Sequence, residues 1–261
     1  MTLVSEASIV EYATDGHIAT ITINRPEARN AINGDVAQGI EAAIDQAEGD
    51  PDIWIVVLTG AGTVFCAGAD LKAISTGQVA QITTSKGGFA GFVKRDRTKP
   101  VIAAVDGPAL AGGCEIALAC DLIVASTAAK FGIPEVKRAL VAAAGGLFRL
   151  PRALPRNVAM EMALTGEPIT AERAYHFGLV NVVVEAGSAM EEATKLANQI
   201  CSNAPLAVRE SRAIVLSSGA HGSEELWKMS NAAMAKMVGT EDFMEGPMAF
   251  IEKRAPVWKG R

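Results

Sequence analysis

The chain has 261 residues, 49% of them hydrophobic and 20% charged, which is enough for one large or two modest domains with a sizeable core and excludes a disordered chain. With 24 Lys and Arg against 29 Asp and Glu, the formal net charge is −5, and aromatic residues make up only 5%. The chain therefore lacks the basic footprint and the stacking residues on which nucleic-acid binding depends.

Residues 1–6, Met1-Thr2-Leu3-Val4-Ser5-Glu6, show no basic stretch followed by an apolar run, so no secretory signal is read and a cytoplasmic location is expected. Asp15-Gly16 is a turn signal. After it, residues 17–24 alternate, with Ala19, Ile21 and Ile23 on one face and Thr20 and Thr22 on the other, predicting a half-buried strand in an early hairpin. Val36, Ile40, Ala43, Ile44 and Ala47 then recur at helical spacing until Asp50-Pro51 breaks the pattern. Apolar runs at residues 54–58, 101–105, 122–125 and 179–184 read as strands covered on both faces, as in a parallel sheet. Helix-like segments separate them, giving an α/β alternation. The stretch 101–120 is the longest apolar one, but Asp106, Glu115 and several glycines interrupt it, so no membrane span is expected.

From about Asn157 onward the pattern is mainly helical. Thr170 is a candidate cap for a helix over 171–177 with Gly178 as its stop, and helices are predicted over 188–202, 207–216 and 223–238. A last helix should start near Thr240, where Glu241 and Asp242 suit its positive end. It carries Phe243, Met244, Met248, Ala249 and Phe250, an apolar content that suggests docking on something, such as another subunit.

Histidine chemistry is disfavoured, since His17, His176 and His221 are scattered and no Gly-x-Ser-x-Gly or P-loop motif occurs. Cys66, Cys114, Cys120 and Cys201 have no zinc-ligand spacing; they read as small buried residues, and no metal is expected. Gly60-Ala61-Gly62 invites a dinucleotide reading, but Phe65 stands where the third glycine is needed, so an ordinary turn explains it better than a nicotinamide dehydrogenase does.

Two segments carry more. In Phe65-Cys66-Ala67-Gly68-Ala69-Asp70-Leu71-Lys72 and in Asp106-Gly107-Pro108-Ala109-Leu110-Ala111-Gly112-Gly113-Cys114-Glu115, small residues precede a helix start. There, free main-chain N–H groups favour developing negative charge, and two of them converging on one oxygen would make an oxyanion hole. Glu115 lies three residues after Gly112, and Phe131-Gly132-Ile133-Pro134-Glu135 sets a second carboxylate at an apolar turn. Together they would form a general acid/base pair. The plainer alternative is that each Glu pairs with Lys137, Arg138, Arg149 or Arg152.

These motifs, with Asn24-Arg25-Pro26-Glu27-Ala28-Arg29-Asn30-Ala31 before them and Glu245-Gly246-Pro247-Met248-Ala249-Phe250 after, resemble the enoyl-CoA hydratase/isomerase (crotonase) family over essentially the whole chain. The resemblance implies an α/β fold, a spiral of repeated β-β-α units over residues 1–195, and a C-terminal helical trimerisation region over 196–261. It implies an acyl-CoA thioester substrate, with coenzyme A as part of the substrate and no separate cofactor, and a homotrimer or a dimer of trimers. By position, the Ala69 and Gly112 amides match the oxyanion hole and Glu115 and Glu135 match the hydratase acids. Ala28, Ala67, Asp70, Leu71 and Lys72 match positions around the CoA nucleotide and pantetheine arm, and Phe250 and Lys253 match residues that reach the CoA of a neighbouring subunit.

Keeping both glutamates implies syn hydration of a trans-2-enoyl-CoA. Isomerisation, hydroxyacyl-CoA dehydration or thioester hydrolysis on the same scaffold, or a non-catalytic acyl-CoA binder, are the alternatives. Two departures are visible. Ala142-Ala143 replaces the Pro-Gly the family commonly shows before its Gly-Gly, which bears on the acyl pocket. Residues 75–99 match the family poorly, with Phe89 and Phe92 as candidates for the acyl-tunnel wall or for ordinary core packing.

Overall fold

The computed structural model describes residues 8–261, so the N-terminal reading over residues 1–6 lies outside the described residues. A hairpin of β1 (Val10–Asp15) and β2 (Ile18–Ile23) opens the chain, registered Val10 to Ile23 and Asp15 to Ile18. Helix α1 (Gly34–Gly49) follows; the Asn33 side chain accepts the Val36 N–H at 2.9 Å, and Val36, Ile40, Ala43, Ile44 and Ala47 are all buried, as their spacing requires.

Strand β3 (Ile55–Gly60) leads to the short α2 (Leu71–Ser75), then the small hairpin β4 (Thr83–Thr84) and β5 (Gly88–Phe89). Next come β6 (Val101–Val105), β7 (Ala109–Leu110) and α3 (Gly112–Ala119), then β8 (Leu122–Ser126), β9 (Lys130–Gly132), a 3₁₀ turn at Pro134–Arg138, and α4 (Gly146–Ala153). The remainder is α5 (Arg156–Thr165), β10 (Ile169–Thr170), α6 (Ala171–His176), β11 (Val182–Val184), α7 (Ala189–Cys201), α8 (Pro205–Ser217), α9 (Ser223–Val238) and α10 (Asp242–Glu252).

The main sheet runs β1-β2-β3-β6-β8-β11, parallel from β2 onward, and a smaller sheet runs β10-β9-β7. An isolated bridge from Cys66 to Ala109 extends the smaller sheet. Each turn of the chain thus gives one strand to the main sheet and one extended piece to the smaller sheet before a helix or helical turn: β3, Cys66 and α2; β6, β7 and α3; β8, β9 and the Pro134–Arg138 turn. This is the β-β-α spiral the resemblance implies.

Both faces of the main sheet are covered, which is why its strands read as unbroken apolar runs. Ile21, Leu58, Ala103 and Ile123 share the larger core with α1 and α3, whereas Ile55, Val57, Ile102 and Val124 face Ala193 and Ala197 of α7. The boundary expected at 195/196 therefore falls inside a helix that belongs to the sheet.

Three local expectations shift. The run at 179–184 is strand only over Val182–Val184, because the Leu179 N–H donates to the Ala174 carbonyl at 2.9 Å and finishes α6. Trp54 precedes β3 and stacks on His17 at 3.5 Å. The final helix starts at Asp242, and the Asp242 carboxylate turns to accept the Lys259 and Gly260 N–H groups (2.7 and 2.9 Å). No helix of the described residues is long and apolar enough to cross a membrane.

Candidate active site

Three segments are zipped together beyond the end of β3. The Leu110 N–H donates to Cys66 O (3.0 Å), the Ile32 N–H to Gly68 O (2.8 Å) and the Asp70 N–H to Ile32 O (2.9 Å). Gly68 has φ +94°, and a Cβ on it would stand 2.8 Å from the Ala111 methyl and 2.9 Å from the Gly112 nitrogen. The turn at 68–69 thus lies directly against the start of α3, an approach open to glycine alone. Ala111 caps α3 at φ +51°, ψ −128°, a conformation unusual for a residue with a side chain, and its N–H is held by Gly132 O at 2.9 Å. Among the described residues, neither the Ala69 nor the Gly112 N–H has an acceptor. Both are available to an external oxygen.

Glu115 follows in the first turn of α3 and is only 3% exposed. Its Oε1 accepts the N–H of Gly146, the first residue of α4, at 2.9 Å. Burial pushes its carboxyl up to about 7; the nearby Glu135 charge adds to the rise, while the Gly146 amide and the Arg149 guanidinium oppose it. Glu135 sits in the Pro134–Arg138 turn, its carboxyl also raised by burial, with Arg138 opposing. Its Oε2 is buried without a partner.

The ion-pair alternative fails. Among the described residues no Lys or Arg bridges either glutamate: Lys137 pairs with Glu167 at 2.5 Å, and Arg149 donates to the carbonyls of Ala144 (3.0 Å) and Val93 (2.6 Å). Two carboxyl groups that resist ionisation, beside two free amides, can stabilise an oxyanion and move protons at neutral pH. Arg149 and the Gly146 amide were not legible as site residues; the available signal was Gly145-Gly146 with an arginine three residues on.

Ala28, Ala67, Asp70, Leu71 and Lys72 lie on two segments, 25–29 and 67–72, that are hydrogen-bonded to each other. The Ala67 N–H donates to Arg29 O just after Ala28 (3.1 Å), Arg25 donates to Asp70 Oδ2 (2.6 Å), and Asp70 Oδ1 accepts the Lys72 N–H (2.9 Å). Arg25 accordingly holds the Asp70 carboxyl below its usual range against the opposing effect of burial. Leu71 and Lys72 are exposed.

Phe89 and Phe92 divide: the Phe89 ring packs where a Gly112 Cβ would lie, while Phe92 is buried in the core beneath the Arg97 guanidinium. Ala142 is buried and Ala143 exposed. Phe250 and Lys253, both exposed, stand at the end of α10, which packs on α9; among the described residues no hydrogen bond joins α10 to the Ala67–Lys72 side. The four cysteines are free, with Cys66 and Cys120 pushed up to about 12 by burial. A surface cleft of about 430 Å³ between β8, β11 and α7 is lined by Glu185, Glu191 and Glu192, the last two paired with Lys195.

A family model described as enoyl-CoA hydratase/isomerase matches residues 13–261. The carnitinyl-CoA dehydratase of Proteus mirabilis is 40% identical over 254 residues, covering 95% of this chain and 97% of that protein. Among solved structures, an enoyl-CoA hydratase from Mycobacterium tuberculosis superposes with TM-score 0.94 at 46% identity (97% of this chain, 100% of that chain). A carnitinyl-CoA hydratase from Mycobacterium avium gives 0.76 at 46% identity, with 97% and 99% covered.

Proposed function

The chain belongs to the enoyl-CoA hydratase/isomerase family, and from that premise we propose that it is a lyase that reversibly adds water to a trans-2-enoyl-CoA thioester. The observation that carries this reading is the pair Glu115, buried, and Glu135, half-buried with its Oε2 enclosed, both resisting ionisation and neither bound by a cation.

In this mechanism the Ala69 and Gly112 amides hold the thioester oxygen, where negative charge gathers as the enolate forms. One carboxyl is ionised and the other protonated, a state that like-charge neighbours favour at neutral pH. Glu115 takes a proton from the water whose oxygen bonds C3. Glu135 gives its proton to C2 on the same face, and a proton passing between the two acids restores the starting state. Losing one oxyanion donor costs about 10²–10³ in rate in comparable sites. Ala28, Ala67, Asp70, Leu71 and Lys72 line the path of the CoA nucleotide and pantetheine arm. The working unit is a trimer or a pair of trimers, in which Phe250 and Lys253 reach the CoA of a neighbouring chain.

Hydration of crotonyl-CoA and longer enoyl-CoAs by wild type and Glu135→Gln tests this. A fall of about 10²–10⁴ is expected for the variant, and mass spectrometry should find the product heavier by one water. Equal rates would remove Glu135 from the chemistry, and a product of unchanged mass would make the reaction an isomerisation.

The names of the relatives favour a second reading, dehydration of carnitinyl-CoA. A quaternary ammonium is best held by an aromatic face or a carboxylate. Arg138 faces Glu135 and Arg149 faces Glu115, and the Phe148 ring is already taken by Arg149 and Arg152 at 5.1 and 5.5 Å. This charge pattern supports an uncharged acyl group, so crotonyl-CoA should be turned over in preference to carnitinyl-CoA.

A further inference from the structure

Arg149 closes the first turn of α4, and its side chain runs back past the start of that helix. Gly145 has φ +110°, and a Cβ there would fall 1.9 Å from Arg149 Nη1, so the guanidinium occupies the space a side chain at 145 would need. One arm, Nη1, donates to Ala144 O at 3.0 Å; the other, Nη2, donates to Val93 O at 2.6 Å. The first carbonyl belongs to the turn that presents the Gly146 N–H to Glu115. The second belongs to the turn in which the Phe92 and Val93 N–H groups bond back to Phe89 O (3.1 and 3.3 Å), and the Phe89 ring rests against Gly112.

We infer that Arg149 is a positioning residue: its fork fastens the turn that cradles Glu115 to the turn that backs the Gly112 amide, and its charge faces Glu115 without pairing with it. The inference rests on the hydration reading for its kinetic consequences but not for its geometry. A bidentate fork is needed because the two carbonyls come from segments about fifty residues apart in sequence, and an ammonium group cannot span them in a fixed plane.

The charged and titratable groups facing Glu115 are Glu135 from the Pro134–Arg138 turn, Arg149 from α4 and the buried Cys114 thiol on its own helix. Arg97, Arg152 and Cys120 in turn face Arg149. Arg149 is the member of the first set that favours the ionised carboxylate.

The test uses full-length Arg149→Met and Arg149→Lys, with Arg149→Gln as a second neutral variant should the methionine protein fail to fold. Two readouts are taken: the pH dependence of kcat and KM on an enoyl-CoA, and an infrared titration of the Glu115 carboxyl without substrate, assigned by its loss in Glu115→Gln. The neutral variants should lose up to about 10² in kcat, with a smaller change in KM. Their acid limb and the Glu115 titration should both move to higher pH. Arg149→Lys should keep the wild-type titration and still fail to recover kcat, because charge is retained and the fork is lost.

Wild-type kcat and titration in both classes of variant, with only a lower Tm, would overturn the inference, as would identical titrations in Met and Lys variants. If the wild-type protein hydrates no acyl-CoA, the hydration reading fails, while the infrared titration still decides the role of Arg149.

Discussion

Glu115 shows how much burial outweighs one good hydrogen bond. The Gly146 amide at 2.9 Å favours the carboxylate, but the carboxyl is nevertheless raised to about 7. In the unfolded chain the same group titrates near 4.3. Below both values it is protonated in both states, and its full contribution to stability is present. Between them the folded chain keeps a proton that the unfolded chain has released, so stability is lost as pH rises, and above about 7 the loss is constant.

Gln imitates the protonated form and keeps an oxygen for the Gly146 amide. Glu115→Gln should therefore match wild type near pH 4–5 and gain on it steadily, by roughly 1–3 kcal/mol at pH 8. Thermal unfolding across that range measures it; a Tm difference independent of pH would mean that Glu115 does not titrate in this window. If Glu115 is the group that must be ionised to accept the proton of water, kcat/KM should fall as pH drops below about 7.

At the scale of elements, legibility followed the strength of the pattern. The five apolar positions of α1 share one face, and all are buried; α9 occupies the residues its periodicity predicts, Ser223–Val238. The turns bearing Gly68 and Gly112 stood out because small residues cluster where backbones must touch. Helix α4 escaped notice. It spans only Gly146–Ala153, has no side-chain cap, and contains Pro151, whose missing N–H withholds a bond from the Leu147 carbonyl. Periodicity cannot register so short a helix, although it carries the Gly146 amide and Arg149. The ties that join elements distant in sequence, such as Val93 to Arg149, have no local signature at all.

Gly68 tests the contact between elements. Added as Gly68→Ala, the new methyl would meet the Ala111 methyl at 2.8 Å and the Gly112 nitrogen at 2.9 Å, on a backbone at φ +94°. It should cost about 1–3 kcal/mol in strain and part the two amides. Turnover should consequently fall by at least about 10²-fold while CoA-ester binding weakens much less. Calorimetric binding alongside kcat separates these; equal losses of both would mean that the turn shapes only the binding surface.

For the molecule as a whole, the C-terminal helices pose a packing problem that one chain leaves open. On α9, Trp227, Met234 and Val238 are exposed at spacings of seven and four; on α10, Met244, Met248 and Ile251 are exposed at spacings of four and three. Each set forms one stripe of its helix, and each is where a core-facing stripe would normally be. Burying a side chain of this kind is worth about 1.5–3 kcal/mol, so two such stripes left in water forgo a large stabilisation. Single chains rarely leave contiguous apolar surface of this extent uncovered. The proposed self-association, if it runs through α9 and α10, would supply the cover and would set Phe250, 85% exposed, and Lys253 beside a neighbouring chain.

Sedimentation at micromolar concentration should give three or six chain masses. The double variant Trp227→Asp, Met248→Asp should sediment as single chains with far weaker CoA-ester binding, because charges placed in both stripes cannot be buried without partners. If these single chains bound and hydrated substrate as well as wild type does, the site would be complete within one chain, and Phe250 and Lys253 would have no part in holding CoA.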